Sequence, residues 1–126
     1  MKATELMIGD LIKIKGHLDY DKVQEIARDE NMQWYISFAC SATLFRAYEF
    51  EPIPLTSEIL EKNGWKETEY WHEYKDGNTI IQYSLSNIWG IINEIEIEHF
   101  KCEYVHQLQH LFRLCGLNEL ADNFKV

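Results

Sequence analysis

The chain's two prolines fall within three residues of each other, in Glu51-Pro52-Ile53-Pro54-Leu55. Each proline locks φ, lacks an N–H and biases the residue before it toward extended backbone. The segment is therefore expected to be an extended connector that stops any preceding strand. It separates a first half of short strand-like runs from a second half that opens with a helix. That helix carries its own punctuation. Thr56 is a good N-cap, and Glu58 sits near the positive end of the helix dipole. Leu55 before the cap and Leu60 at the fourth helical position have the spacing of a hydrophobic staple. Gly64 supplies a left-handed C-terminal cap, and Trp65 falls where a Schellman turn returns an apolar contact to Leu60.

Before the connector, Leu6, Ile8, Leu11, Ile12 and Ile14 surround the turn residues Gly9-Asp10, the opening expected of a small barrel. Asp19-Tyr20-Asp21 reads as a turn leading to a strand through Val23 and Ile26. Asp29-Glu30-Asn31 closes a hairpin into a strand ending at Phe38, and a further strand runs from Thr43 to Phe50. Strands this short and closely spaced fit an SH3-like curled sheet. After the helix, Asp76-Gly77 marks a hairpin, Thr79 to Leu85 is its return strand, and Ser86-Asn87 marks the next turn. From Ile88 a single long strand is expected to about Glu98. Tyr104, Leu108, Leu111, Phe112 and Cys115 then form one apolar stripe on a C-terminal helix that Gly116 ends. The expected fold is α+β: a small SH3-like β unit over 1–51, then, over 52–126, a short helix, a three-stranded antiparallel β-meander and a C-terminal packing helix. Its 126 residues are an ordinary size for a single domain.

Charge narrows the function. Asp and Glu number 21 against 12 Lys and Arg, a net of −9. Nucleic-acid binding draws its affinity from neutralising phosphates, so direct nucleic-acid contact is not expected, and anionic membranes would repel the chain. A partner protein with a basic surface would attract it. The composition, 46% hydrophobic and 26% charged, is globular. No apolar run approaches the ~20 residues of a membrane span, and Met1-Lys2-Ala3-Thr4-Glu5 lacks a signal-peptide core, so a cytoplasmic protein is expected. Cys40, Cys102 and Cys115 lie in no C-x-x-C pair and read as small buried apolar residues in a reducing compartment. Nothing in the residues speaks to oligomeric state.

His99, Cys102, His106, His110 and Cys115 include steps of one helical turn that could suit zinc. No C-x-x-C or H-E-x-x-H accompanies them, so neither a metal site nor any other cofactor is expected. The serines sit in no glycine elbow and the six glycines are scattered singly, which leaves no constellation for catalysis. A non-enzymatic protein is expected. Binding signals are stronger. Asn93-Glu94-Ile95-Glu96-Ile97-Glu98, read as a strand, turns Ile95 and Ile97 to the core and lines up Glu94, Glu96 and Glu98 outside. Those carboxylates would recur every ~6.7 Å, twice the strand rise, a spacing comparable to that of phosphates along a DNA strand. With Glu67, Glu69, Glu73 and Asp76 they would form an acidic face for a partner. Trp71 and Tyr74, from an aromatic-rich stretch, are the candidate interface anchors. The alternative use of Trp65, Trp71 and Tyr74 is an aromatic pocket for a nucleotide.

Three patches resemble a family of small phage, prophage and mobile-element proteins of gut-type anaerobic bacteria. They are Thr4-Glu5-Leu6-Met7-Ile8-Gly9-Asp10; Pro52-Ile53-Pro54-Leu55-Thr56 with Leu60-Glu61-Lys62-Asn63-Gly64-Trp65; and Tyr104-Val105-His106-Gln107-Leu108-Gln109, closing at Gly116 to Leu120. His106 matches the family pattern, as a helix-packing histidine. His110 stands where the family tends to carry an amide, which speaks against a metal site. The resemblance implies a mobile-element origin and no particular activity. Small acidic phage proteins without catalytic motifs are, by analogy, stoichiometric inhibitors of host machinery. The expected function is thus inhibition of a host nucleic-acid-handling or antiviral-defence protein, such as a nuclease complex, in the host cytoplasm. Sequestration of a nucleotide signal and a phage structural or assembly role are the alternatives.

Overall fold

The computed structural model describes residues 5–16, 20–38, 41–46 and 50–126. Its internal contacts divide the chain into two units, Met1–Ile53 and Pro54–Val126, so the boundary lies inside the proline connector.

The first unit is one antiparallel sheet of β1 (Leu11–Ile14), β2 (Tyr20–Arg28), β3 (Trp34–Phe38), β4 (Ser41–Arg46) and β5 (Phe50–Pro52), in the order β4-β3-β2-β1-β5. The long β2 serves two neighbours. Lys22 pairs with Leu11 of β1, whereas Val23 to Arg28 pair with β3 across a register shift between Val23 and Glu25. A bulge at this point bends the strand and increases its twist. The Gly9-Asp10 turn enters β1 with Gly9 at φ 93°. Asp10, fully buried, closes it by accepting the Met7 N–H on Oδ2 at 2.7 Å. Leu6, Ile12, Val23, Ile36, Phe38 and Phe50 form the core, with Ile14, Ile26 and Trp34 packed against it. The strand expected from Thr43 to Phe50 is two strands, β4 and β5. Pro52 does not stop β5 but lies in it, paired with Ile12. An edge strand tolerates proline because one side of its backbone needs no ladder partner. Tyr20 and Asp21, expected in a turn, instead open β2 opposite Lys13 and Ile12, and Asp19 and Cys40 lie outside the described residues.

The second unit comprises α1 (Ser57–Lys62), β6 (Lys66–Glu67), β7 (His72–Asp76), β8 (Thr79–Ser84), β9 (Asn87–Ile92), β10 (Ile95–Lys101), α2 (Val105–Leu114) and α3 (Asn118–Asp122). The signals around α1 act as read, whereas the turn expected at Ser86-Asn87 falls on Leu85 and Ser86, with Asn87 already in β9. Thr56 Oγ1 accepts the Ile59 N–H at 3.3 Å, a cap of the kind worth about 1 kcal/mol. Gly64, at φ 85°, closes the Schellman pair: its N–H donates to Glu61 O at 3.2 Å and the Trp65 N–H to Leu60 O at 3.1 Å. Leu55, Leu60 and Trp65 are buried. Tyr104 begins α2, where Gln107 Oε1 accepts the N–H groups of Glu103 and Tyr104 at 2.8 and 3.1 Å. Val105, Leu108, Leu111 and Phe112 on the helix are buried, as are Ile81, Ile88 and Ile92 of the sheet. α3 has no counterpart in the sequence reading; buried Gln109 holds it, donating to Ala121 O at 3.1 Å.

The meander has five strands in sequential order rather than three. β6 is only two residues long, too short for periodicity to reveal. The long strand expected from Ile88 to Glu98 is a hairpin, because Asn93 and Glu94 take positive φ of 48° and 71° and reverse the chain. Asn93 is held there: its N–H donates to Thr79 Oγ1 at 3.1 Å and its Nδ2 to Cys115 O at 2.8 Å. Gly90 has φ 131°, and a Cβ at that position would be driven into the Ile80 carbonyl. Among the described residues no helix is long and apolar enough to cross a membrane.

Candidate functional site

Strand register decides which side chains of the meander share a face. Glu73, Gln82 and Trp89 stand opposite one another across β7, β8 and β9, and Lys75, Ile80, Ile91 and Glu96 do so across β7 to β10. The adjacent positions Ile81, Ile88 and Ile92 are fully buried, so this set is the outward face. Its apolar members are substantially exposed, Ile80 at 44% and Ile91 at 45%. Trp71, just before β7, meets Trp89 edge-on with ring centroids 6.3 Å apart, and exposed Tyr70 lies 6.1 Å from Trp71. Trp89, Gly90, Ile91, Glu96, Ile97, Glu98 and His99 line a shallow hollow of about 670 Å³ along the β9–β10 margin.

Among the described residues, β10 is the edge of the sheet, with β9 on one side and no strand on the other. The expected alternation of buried isoleucine and outward glutamate does not hold there. Ile95 is 45% exposed, Glu94 lies in the turn, and the register slips between Ile97 and Phe100. An edge strand lacks a neighbour whose side chains would cover it, so both of its faces stay wet. Glu94, Glu96 and Glu98 are exposed, and the exposed apolar surface of Ile91 and Ile95 borders them.

The remaining expected site residues disperse. Glu73 is ion-paired with Lys75 at 3.6 Å and stands opposite Lys66, so it adds no net charge to an acidic face. Glu69 is exposed in the β6–β7 loop. Trp71 belongs to the outward face, whereas Tyr74 packs on the buried Trp65 with ring centroids 5.7 Å apart. Residues three apart at a strand point to opposite faces, so Trp65, Trp71 and Tyr74 do not converge. Burial first, then the Asp76 carboxylate that accepts its hydrogen bond, push the Tyr74 phenol up. Tyr74, Asp76, Thr79, Asn118, Glu119 and Asn123 instead help line a separate hollow of about 650 Å³ beside the α2–α3 turn.

The histidine and cysteine group does not share one setting: His99 is exposed on β10, whereas Cys102, His106 and Cys115 are buried. His106 is buried, stacked at 5.9 Å on Tyr104 and edge-on to His110 at 5.5 Å. Burial pushes the Cys102 thiol up to about 12 and raises that of Cys115. Neither is a thiolate near neutral pH, which is the form a nucleophile or zinc ligand requires. A different group does converge: one ligand atom each from Glu61, Glu67 and His72 lie within 4.8 Å of one another. No family model, curated protein or solved structure matches the chain.

Proposed function

We propose that this is a non-enzymatic binding protein of mobile-element origin. It acts in the host cytoplasm as a stoichiometric inhibitor of a nucleic-acid-handling or antiviral-defence protein, meeting a basic surface of that partner with its β9–β10 margin. One observation carries the reading: exposed Ile91, with Trp89, Glu96 and Glu98, lines one hollow of the margin, and exposed Glu94 and Ile95 stand at the turn that ends it. Aromatic and apolar anchors supply most of the affinity at such a surface, and the carboxylates select a cationic partner and speed its approach. The net charge of −9 adds long-range steering of the same sign. Among the described residues β10 also has no strand on its outer side, which leaves that edge to an extended partner segment.

Affinity capture of the tagged protein from a phage-susceptible host lysate tests this. One host protein should be recovered at near-equal stoichiometry and released by salt, and the triple variant E94K/E96K/E98K should lose it while keeping the wild-type circular dichroism spectrum. Undiminished capture by the folded variant would overturn the role of the margin. Sequestration of a nucleotide is the second reading, and the hollow beside the α2–α3 turn is the place it would use. Asp76 and Glu119 in that lining oppose nucleotide phosphates, which is why the protein-binding reading stands first.

A further inference from the structure

We propose that Glu61, Glu67 and His72 form a binding site for a divalent transition-metal ion, with zinc the best fit. The three come from different elements: Glu61 from the last turn of α1, Glu67 from β6 and His72 from β7. Two local structures bring them together. The Schellman turn over Asn63, Gly64 and Trp65 reverses the chain between α1 and β6. The β6–β7 register then sets Glu67 directly opposite His72, so both project from one face. Asn63 braces the end of the helix, donating from Nδ2 to Ile59 O and to Lys125 O, each at 2.7 Å, and accepting the Lys125 N–H at 2.8 Å.

The donor set is chemically suited to such an ion and is not otherwise engaged. Among the described residues neither carboxylate makes a hydrogen bond or ion pair. His72 Nε2 is shielded from solvent and has no hydrogen-bond partner. A buried ring nitrogen left in that state is unfavourable, and a partner for the imidazole at this corner lowers that cost. Two carboxylates held this close repel each other, and a dication reverses that repulsion. Ligand atoms around tetrahedral zinc lie about 3.4 Å apart. Closing in from separations of up to 4.8 Å asks only for small rotations of two exposed, flexible glutamates. The imidazole favours zinc and its transition-metal neighbours over magnesium and calcium, which prefer all-oxygen shells. Glu67 and His72 also border a hollow of about 280 Å³. A water occupies about 30 Å³, so there is room for solvent to complete the coordination shell.

The test is calorimetric titration of the full chain with zinc chloride, alongside H72Q, E61Q, E67Q and H106Q variants and a magnesium chloride arm. Wild type should bind one zinc ion per chain, more tightly than magnesium. H72Q and E67Q should each weaken binding by more than about tenfold, whereas H106Q should leave it unchanged. Substitution with Co²⁺ should give the visible bands of a low-symmetry four- or five-coordinate ion in wild type and lose them in H72Q. Should H72Q fail to fold by circular dichroism, E61Q carries the same test from an exposed helical position. Absence of saturable zinc binding, or its loss in H106Q and retention in H72Q, would overturn the proposal. None of these outcomes depends on a protein partner, so this site and the β9–β10 margin stand or fall separately.

Discussion

The start of α2 and the corner joining α1 to β7 each hold a group of metal-ligating residues, and they have opposite characters. Around α2 the residues follow one another at helical spacing: Cys102, His106 and His110. The spacing is regular, yet Cys102 lies before α2 begins, and both it and His106 are in the interior, where burial and, for His106, ring stacking engage them. At the corner the residues stand six and five positions apart, in no motif, and the chain's reversals bring two exposed glutamates to a half-buried histidine. Spacing along a helix says which residues share a side of it. It does not say whether that side is wet, and a ligand set needs both convergence and access.

The contrast can be broken most sharply in the interior. Leu108→Ala, on the stripe that buries His106, should cost about 2–5 kcal/mol in denaturant unfolding; a cost below about 1 kcal/mol would mean that α2 is not core. Cys102→Ser places a hydroxyl in the same apolar site and should cost about 1–3 kcal/mol. Its thiol also predicts a pH dependence. The folded state raises the Cys102 pKa from 9.0 to about 12, so it holds the proton more tightly than the unfolded chain. That contribution to stability is complete below pH 9.0 and is lost as pH rises toward 12. Unfolding free energies measured across this range should fall less steeply in Cys102→Ala than in wild type. The native thiol should also resist alkylation at neutral pH until the chain unfolds.

Smaller effects sharpen the corner. Thr56→Ala removes the cap of α1 and should cost about 1 kcal/mol. It should also weaken zinc binding, since α1 carries Glu61; unchanged zinc affinity would separate the site from the helix that is held to position it. Smallest of all, E61Q in metal-free buffer should shift stability by no more than about 0.5 kcal/mol, as expected of an exposed position. The same insensitivity in excess zinc would remove the distinction between the two groups.

Much of the second unit's local structure was legible in its residues. The cap at Thr56, the reversal at Gly64 and the stripe from Tyr104 to Cys115 are sentences written within a few residues, because they depend on backbone conformation and on neighbours one turn away. The Asp76-Gly77 hairpin was legible for the same reason. The Asn93-Glu94 reversal was not, since Glu94 has no preference for positive φ and the turn is held by Thr79 and Cys115, distant in sequence. Nor was α3, five residues long and tied down by Gln109. The acidic stripe is shortened with the strand that was to display it: once Asn93 and Glu94 turn the chain, Glu94 leaves the row, while Glu96 and Glu98 stay exposed on β10.

By itself, then, the sequence determined an α+β chain, the limits of α1, the C-terminal end of α2, and a strongly acidic charge. Those properties are local or additive, and each residue contributes to them whatever its distant neighbours do. Only the tertiary structure decided that Trp71 meets Trp89 while Tyr74 meets Trp65, that Ile91 and Ile95 stay exposed, and that Glu61, Glu67 and His72 converge. Strand register and the packing of separate elements set these pairings, and a shift of one residue in register would exchange every face.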